Sequence, residues 1–134
     1  MLKHGILNAK VKYCLADQGH RDQFAITDAG YNIPKNVEKI DLAFLPNLPI
    51  LMEVLDGVRD EIAIEKIILA EEIKTMSPTI LEEYRKRFSD DMIEFIPHSE
   101  LDKNMEKVNF AIRTGQYGFH APNVIIQVGC TYDE

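Results

Sequence analysis

The run Ile64-Glu65-Lys66-Ile67-Ile68-Leu69-Ala70 constrains this chain more than any other feature. It is interrupted only by Glu65-Lys66 and is far too short to cross a bilayer as a helix, which takes about 20 apolar residues. A strand of this kind is covered by helices on both faces, so the run predicts a central strand in an α/β sheet.

The flanking sequence supplies the partners. Asn8 is a candidate N-cap for a helix from Ala9 to Gln18 that carries Val11, Cys14 and Leu15 on one side, with Gly19 as its stop. Gln23-Phe24-Ala25-Ile26-Thr27 reads as a strand broken by Asp28-Ala29-Gly30, and Ile40-Asp41-Leu42-Ala43-Phe44 reads as another. Pro46 and Pro49 punctuate the approach to a helix from Ile50 to Arg59. Ser77-Pro78 predicts an N-cap and first-turn proline for a helix through Phe88, with Ile80, Leu81, Tyr84 and Phe88 on one face. Met92 to Ile96 predicts a strand, Ser99 a cap for a short helix, and Phe110-Ala111-Ile112 and Val124-Ile125-Ile126 two late strands. The expected architecture is α/β: a single three-layer domain spanning residues 1–134, with a mixed, mainly parallel sheet flanked by helices.

Composition narrows the function. With 46% apolar and 28% charged residues among 134, the chain is a globular protein, and its net charge of −7 argues against nucleic acid as a partner. No membrane-spanning run is present, and Met1-Leu2-Lys3-His4-Gly5 is too short and polar for a secretory signal, so a cytoplasmic location is expected. Cys14 and Cys130 lack metal or redox spacing and read as reduced thiols with no catalytic role.

Candidate chemistry falls at the ends of the predicted elements. His20 follows the first helix, and an imidazole exchanges protons near neutral pH. Asp28 and His98 each follow a strand, where ligands gather in open α/β sheets; Asp28 could orient His20 or accept hydroxyl hydrogens. The segment from Arg113 to Asn123 places Tyr117, His120 and Asn123 in a loop suited to a polyol. Glu71-Glu72 reads as a solvated connection. His20, Asp28, His98 and His120 together also have the ligand types of a zinc or iron site, although their spacing matches no metal motif.

In order, His4-Gly5-Ile6-Leu7-Asn8, Leu15-Ala16-Asp17-Gln18-Gly19-His20, Asp28-Ala29-Gly30, Ile33-Pro34, Ile40-Asp41-Leu42-Ala43, Ala70-Glu71-Glu72-Ile73-Lys74, His98 and Arg113-Thr114-Gly115 resemble the sugar mutarotase family of D-ribose pyranases and L-fucose mutarotases. The resemblance implies interconversion of the β-pyranose and β-furanose forms of D-ribose without a metal or other cofactor, supplying furanose for phosphorylation. It also implies a ring-shaped homodecamer with sites at subunit contacts. His20 matches the family's proton donor, and Asp28 and His98 match its sugar contacts.

The chain departs from that pattern in its last loop, where Gln116 stands in place of a Glu. Counted forward from Gly115, His120 occupies a position that the family fills with a sugar-contacting Tyr; counted backward, Ala121 does, and Asn123 takes the place of the family's Asn. After His98, Asp102 followed by Lys103 replaces a single family Lys. A mutarotase for another sugar such as L-fucose, or a sugar-binding protein without turnover, are the alternatives.

Overall fold

The computed structural model describes residues 1–132. Six strands form one sheet: β1 (Gln23–Thr27), β2 (Glu38–Asp41), β3 (Ile64–Ala70), β4 (Ile93–Ile96), β5 (Phe110–Arg113) and β6 (Val124–Val128), in the spatial order β2-β5-β1-β6-β3-β4. β6 alone runs antiparallel to its neighbours, so the sheet is mixed and mainly parallel as expected. Because β1 leads toward β2 and β3 leads toward β4, the chain diverges at the middle of the sheet. Ligands of open α/β sheets bind beyond the carboxyl ends of strands at such a point; here β6 fills the gap, and the loop that feeds it crosses that edge.

Helices cover both faces. On one side, α1 (Ala9–Ala16), α2 (Leu51–Arg59) and α4 (Pro78–Arg87) pack Val11, Leu55 and Tyr84 against Phe24, Ile26, Ile67 and Ile126. The short α3 (Ile73–Met76) adds Ile73 to this core. On the other side, α5 (His98–Met105) sets Leu101 and Met105 against Ala25, Ile68, Ala111 and Ile125. The alternation Phe24, Ala25, Ile26 thus feeds both cores. Phe24 and Phe110 also stack with ring centroids 4.8 Å apart.

Local deviations from the sequence reading have physical causes. Asn8 does cap α1, accepting from Val11 N–H at 2.9 Å, but the helix ends at Ala16 and Gln18 Nε2 instead donates back to the Cys14 carbonyl. β2 is Glu38–Asp41, not residues 40–44: after Leu42 N–H bonds the Arg113 carbonyl, the chain folds into a tight turn in which Phe44 N–H reaches the Leu48 carbonyl. The Ile64–Ala70 strand is interior but one place from the edge, because β6 occupies the centre beside β1. Met92 ends a single 3₁₀ turn, Asp90–Met92, and β4 starts after it.

Two predicted caps are replaced. α5 begins at His98 with no cap from Ser99; the Glu72 carboxylate accepts the His98 N–H at 3.0 and 3.3 Å, a distant side chain serving the exposed donor of a helix start. Glu72 is therefore a structural anchor rather than a solvated acid. Ser77 does precede α4, but its hydroxyl makes no capping bond, being turned to the backbone of His120. Cys14 is buried, Cys130 exposed, and both are free thiols.

Candidate functional site

The loop 114–123 lies over the carboxyl ends of β1, β5 and β3, and its shape is set by a series of specific contacts. Thr114 Oγ1 donates to the Thr27 carbonyl at 2.7 Å, tying the loop's start to the end of β1. Gly115 packs so tightly that a Cβ there would lie 2.5 Å from the Leu48 carbonyl oxygen and 2.7 Å from that of Leu45. Gln116, only 6% exposed, accepts the Leu51 N–H of the α2 terminus at 3.1 Å. Farther along, Ser77 Oγ donates to the His120 carbonyl at 2.6 Å and accepts its N–H at 3.1 Å, while the buried Tyr84 hydroxyl donates to the Pro122 carbonyl at 2.5 Å. Between these anchors Ala121 takes a left-handed conformation, φ 56°, which costs an L-residue energy and is held only by its surroundings.

The result is a cleft of about 410 Å³ lined by Asp28, Tyr31, Tyr117, Phe119, His120 and Asn123, among others. Asn123 is 3% exposed; its Oδ1 accepts the Asp28 N–H at 2.8 Å, which positions the aspartate at the end of β1. Asp28 Oδ1 is buried and has no hydrogen-bond partner among the described residues. A buried carboxylate oxygen without a donor is costly, and Asp28 carries that cost at the wall of the cleft. Burial pushes the Asp28 carboxyl above the usual carboxylate range, against the opposing pull of the Tyr31 and Gly30 backbone N–H groups and the charges of His120 and Arg113.

An adjoining cleft of about 480 Å³ shares Gly30 and Tyr31 with the first and contains His98. There the Tyr31 hydroxyl donates to Asp102 Oδ1 at 2.6 Å, and His98 Nδ1 lies 3.2 Å from Asp102 Oδ2. Burial first, and then Asp102, raise the Tyr31 pKa and keep the phenol protonated. Arg113 fixes the neighbouring turn, donating through Nε to the Ala29 carbonyl and pairing with Asp41.

His20 stands elsewhere. It precedes β1, beside the end of β6, in a separate cleft of about 310 Å³ lined by Gly19, Glu61, Ala63, Gly129 and Cys130. Its Nε2 is 3.2 Å from Glu65 Oε2.

The model of the RbsD / FucU transport protein family matches residues 1–131. The chain belongs to that family. A D-ribose pyranase of Lactobacillus gasseri is 42% identical over 132 residues, covering 98% of this chain and 100% of that protein. A D-ribose pyranase of Geobacillus thermodenitrificans is 39% identical over the same length, covering 98% and 99%. The structure of Bacillus subtilis RbsD complexed with D-ribose superposes with a TM-score of 0.93 at 37% identity, covering 98% of this chain and 100% of that one. The fucose mutarotase of Streptococcus pneumoniae in complex with L-fucose shares the fold, with a TM-score of 0.85 at 18% identity and coverage of 98% and 100%.

For this RbsD / FucU member the structure brings Asp28, His120 and Asn123 into one cleft, with His98 in the next, and leaves His20 at the other sheet edge. One expectation is thereby corrected, and one alternative finds no support within a single chain. Asp28 does not orient His20 within one chain, and the four residues weighed as zinc or iron ligands are dispersed; among the described residues no three His, Cys, Asp or Glu side chains are grouped to hold a metal ion. Sequence reasoning missed Tyr31, Ser77, Tyr84 and Asp102, whose roles depend on partners at least 38 positions away, except for the Asp102–His98 contact. That pair, four residues apart on a helix, carried a readable signal.

Proposed function

We propose that this chain is a D-ribose pyranase, interconverting the β-pyranose and β-furanose rings of D-ribose and so supplying the furanose for phosphorylation. The observation that carries this reading is the buried, unpartnered Asp28 Oδ1 in a cleft lined by aromatic and polar groups. The full-length similarity to D-ribose pyranases supports it.

Ring interchange needs two proton movements. The anomeric hydroxyl of the pyranose loses a proton while the ring oxygen gains one, and the bond from C1 to that oxygen breaks to give the aldehyde. Rotation then lets the C4 hydroxyl add to C1, giving up its proton as the carbonyl oxygen takes one. No atom is lost and no redox step occurs, so one acid/base group near neutrality suffices, worth about 10²- to 10⁴-fold. His20 is that group, and Asp28, His98, His120 and Asn123 hold hydroxyls of the sugar. The Asp28 carboxylate accepts, and the Asn123 amide nitrogen, which has no partner among the described hydrogen bonds, donates.

Since His20 and Asp28 occupy opposite sheet edges, the complete site takes His20 from a neighbouring copy in a ring-shaped homodecamer. Catalysis then belongs to the assembly, acting on a monosaccharide in the cytoplasm without a cofactor. Among the described residues no helix is long and apolar enough to cross a membrane.

Saturation-transfer proton NMR on ribose tests the reading. Faster exchange between pyranose and furanose signals with the wild type, lost in His20→Ala, is the expected result. A second reading, sugar binding without turnover, is favoured by the distance of His20 from the cleft in one chain. Ribose-induced shifts in the protein spectrum with unaltered ring exchange would select it.

A further inference from the structure

The two adjoining clefts at the carboxyl edge of the sheet have Gly30 and Tyr31 as their common wall. Asp28, His120 and Asn123 line one side of it and His98 the other, so a sugar held by all four spans Tyr31. The Tyr31 side chain packs against the cluster that contains Leu101 and Met105 of α5, and its hydroxyl donates to Asp102 Oδ1 at 2.6 Å. The other carboxylate oxygen, Oδ2, lies 3.2 Å from Nδ1 of His98, one helical turn back.

Chemistry sets the direction of each of these bonds. Burial, and then Asp102, keep Tyr31 a phenol, so its hydroxyl is the donor. A carboxylate offers only acceptors, so the remaining oxygen takes its hydrogen from the imidazole. Nδ1 is therefore the N–H nitrogen of the neutral ring, and Nε2 keeps its lone pair. The backbone of His98 is held separately, by the Glu72 carboxylate that accepts its N–H at 3.0 Å. A half-exposed His–Asp pair is a weak contact by itself; here a hydroxyl from 71 positions away holds the carboxylate in place. Asp102 is also one of the chain's departures from the mutarotase pattern, and the Lys of that pattern, which has no acceptor, could hold neither group.

We infer that Asp102, itself fixed by Tyr31, is the positioning residue of His98: it takes the Nδ1–H and leaves Nε2 as the nitrogen that accepts from a sugar hydroxyl. The inference rests on the proposed role of His98 in holding the sugar. Acceptors then stand on both sides of the Tyr31 wall, the Asp28 carboxylate on one and His98 Nε2 on the other, so the sugar is gripped through two of its hydroxyl hydrogens. No proton is transferred at His98, and its contact is made equally with the bound sugar and with the transition state.

The test measures ring-exchange kinetics on ribose, and the His98 ring by ¹⁵N NMR, in the wild type, Asp102→Ala, Tyr31→Phe and the double variant; the His98 signals are assigned by their loss in His98→Gln. Asp102→Ala should raise KM about three- to tenfold with kcat nearly unchanged. Tyr31→Phe should raise KM less, and adding it to Asp102→Ala should raise KM no further, because the hydroxyl acts through the carboxylate. The neutral wild-type ring should carry its proton on Nδ1, and Asp102→Ala should lose that preference. A neutral wild-type ring protonated on Nε2, or a KM for folded Asp102→Ala equal to that of the wild type, overturns the inference; a further rise of KM in the double variant overturns the part given to Tyr31. Absence of any wild-type acceleration would defeat the pyranase reading instead, and the NMR result would still decide whether Asp102 holds His98.

Discussion

His20 and Asp28 stand beyond opposite ends of the same strand, β1 (Gln23–Thr27). A strand of this length spans about 17 Å, more than either side chain can reach across. One residue faces the amino edge of the parallel strands and the other faces the carboxyl edge.

This separation predicts complementation. His20→Ala and Asp28→Asn chains, each purified alone, should fail to accelerate ribose ring exchange. Dissociated together and reassembled, they should regain up to about a quarter of wild-type activity, because random mixing pairs an intact His20 from one copy with an intact Asp28 from the next. Continued inactivity of a verified mixed oligomer would show that His20 of one copy and Asp28 of the next do not form a common site.

Asp28 should trade stability for binding. Its folded pKa is raised, chiefly by burial, so the folded protein binds its proton more tightly than the unfolded chain does. Stability from this group is therefore lost as pH rises from the ordinary carboxylate range through the raised value. At pH 7 Asp28→Asn should melt higher than the wild type while binding ribose more weakly, and the thermal gain should shrink in acid, where both side chains become neutral. Melting curves at pH 3.5 and 7 would expose an error if the gain were larger in acid.

Tyr84→Phe removes the hydroxyl that holds the Pro122 carbonyl at 2.5 Å. The ring packing remains but a buried acceptor is left without its donor, a cost of about 1–3 kcal/mol. Urea denaturation should show that loss, and the loosened 120–123 segment should raise KM for ribose more than it lowers kcat.

Gly115→Ala should destabilise the protein by about 1–3 kcal/mol, since the new methyl meets the backbone carbonyls of Leu45 and Leu48, which no side-chain rotation can relieve. Because the same residues turn the chain into the candidate site, ribose affinity should fall in parallel. A variant with the wild-type urea midpoint would show that the 45–48 turn yields easily.

The alternation of strands and helices was readable because period and punctuation are local. Asn8 capped its helix, Pro78 opened another, and apolar runs became strands. Asp28 and His98 were readable as site candidates for the same reason, as polar residues just past strand ends. The loop was harder to read: the strained Ala121 and the clamps from Ser77 and Tyr84 lie in contacts more than 35 positions long, which periodicity does not encode.

The amino-acid sequence by itself determined the layered α/β architecture, the family resemblance and which side chains stand at strand ends, since these follow from short-range pattern and order along the chain. Only the tertiary structure decided which ends share an edge. Inserting β6 antiparallel between β1 and β3 brings Asn123 to Asp28 at one edge, and at the other sets Gln127 beside Glu65 and Glu65 beside His20. Strand order and direction are settled by burying both faces of the whole sheet together, a long-range balance of packing in which residues distant in sequence become the partners that position the site.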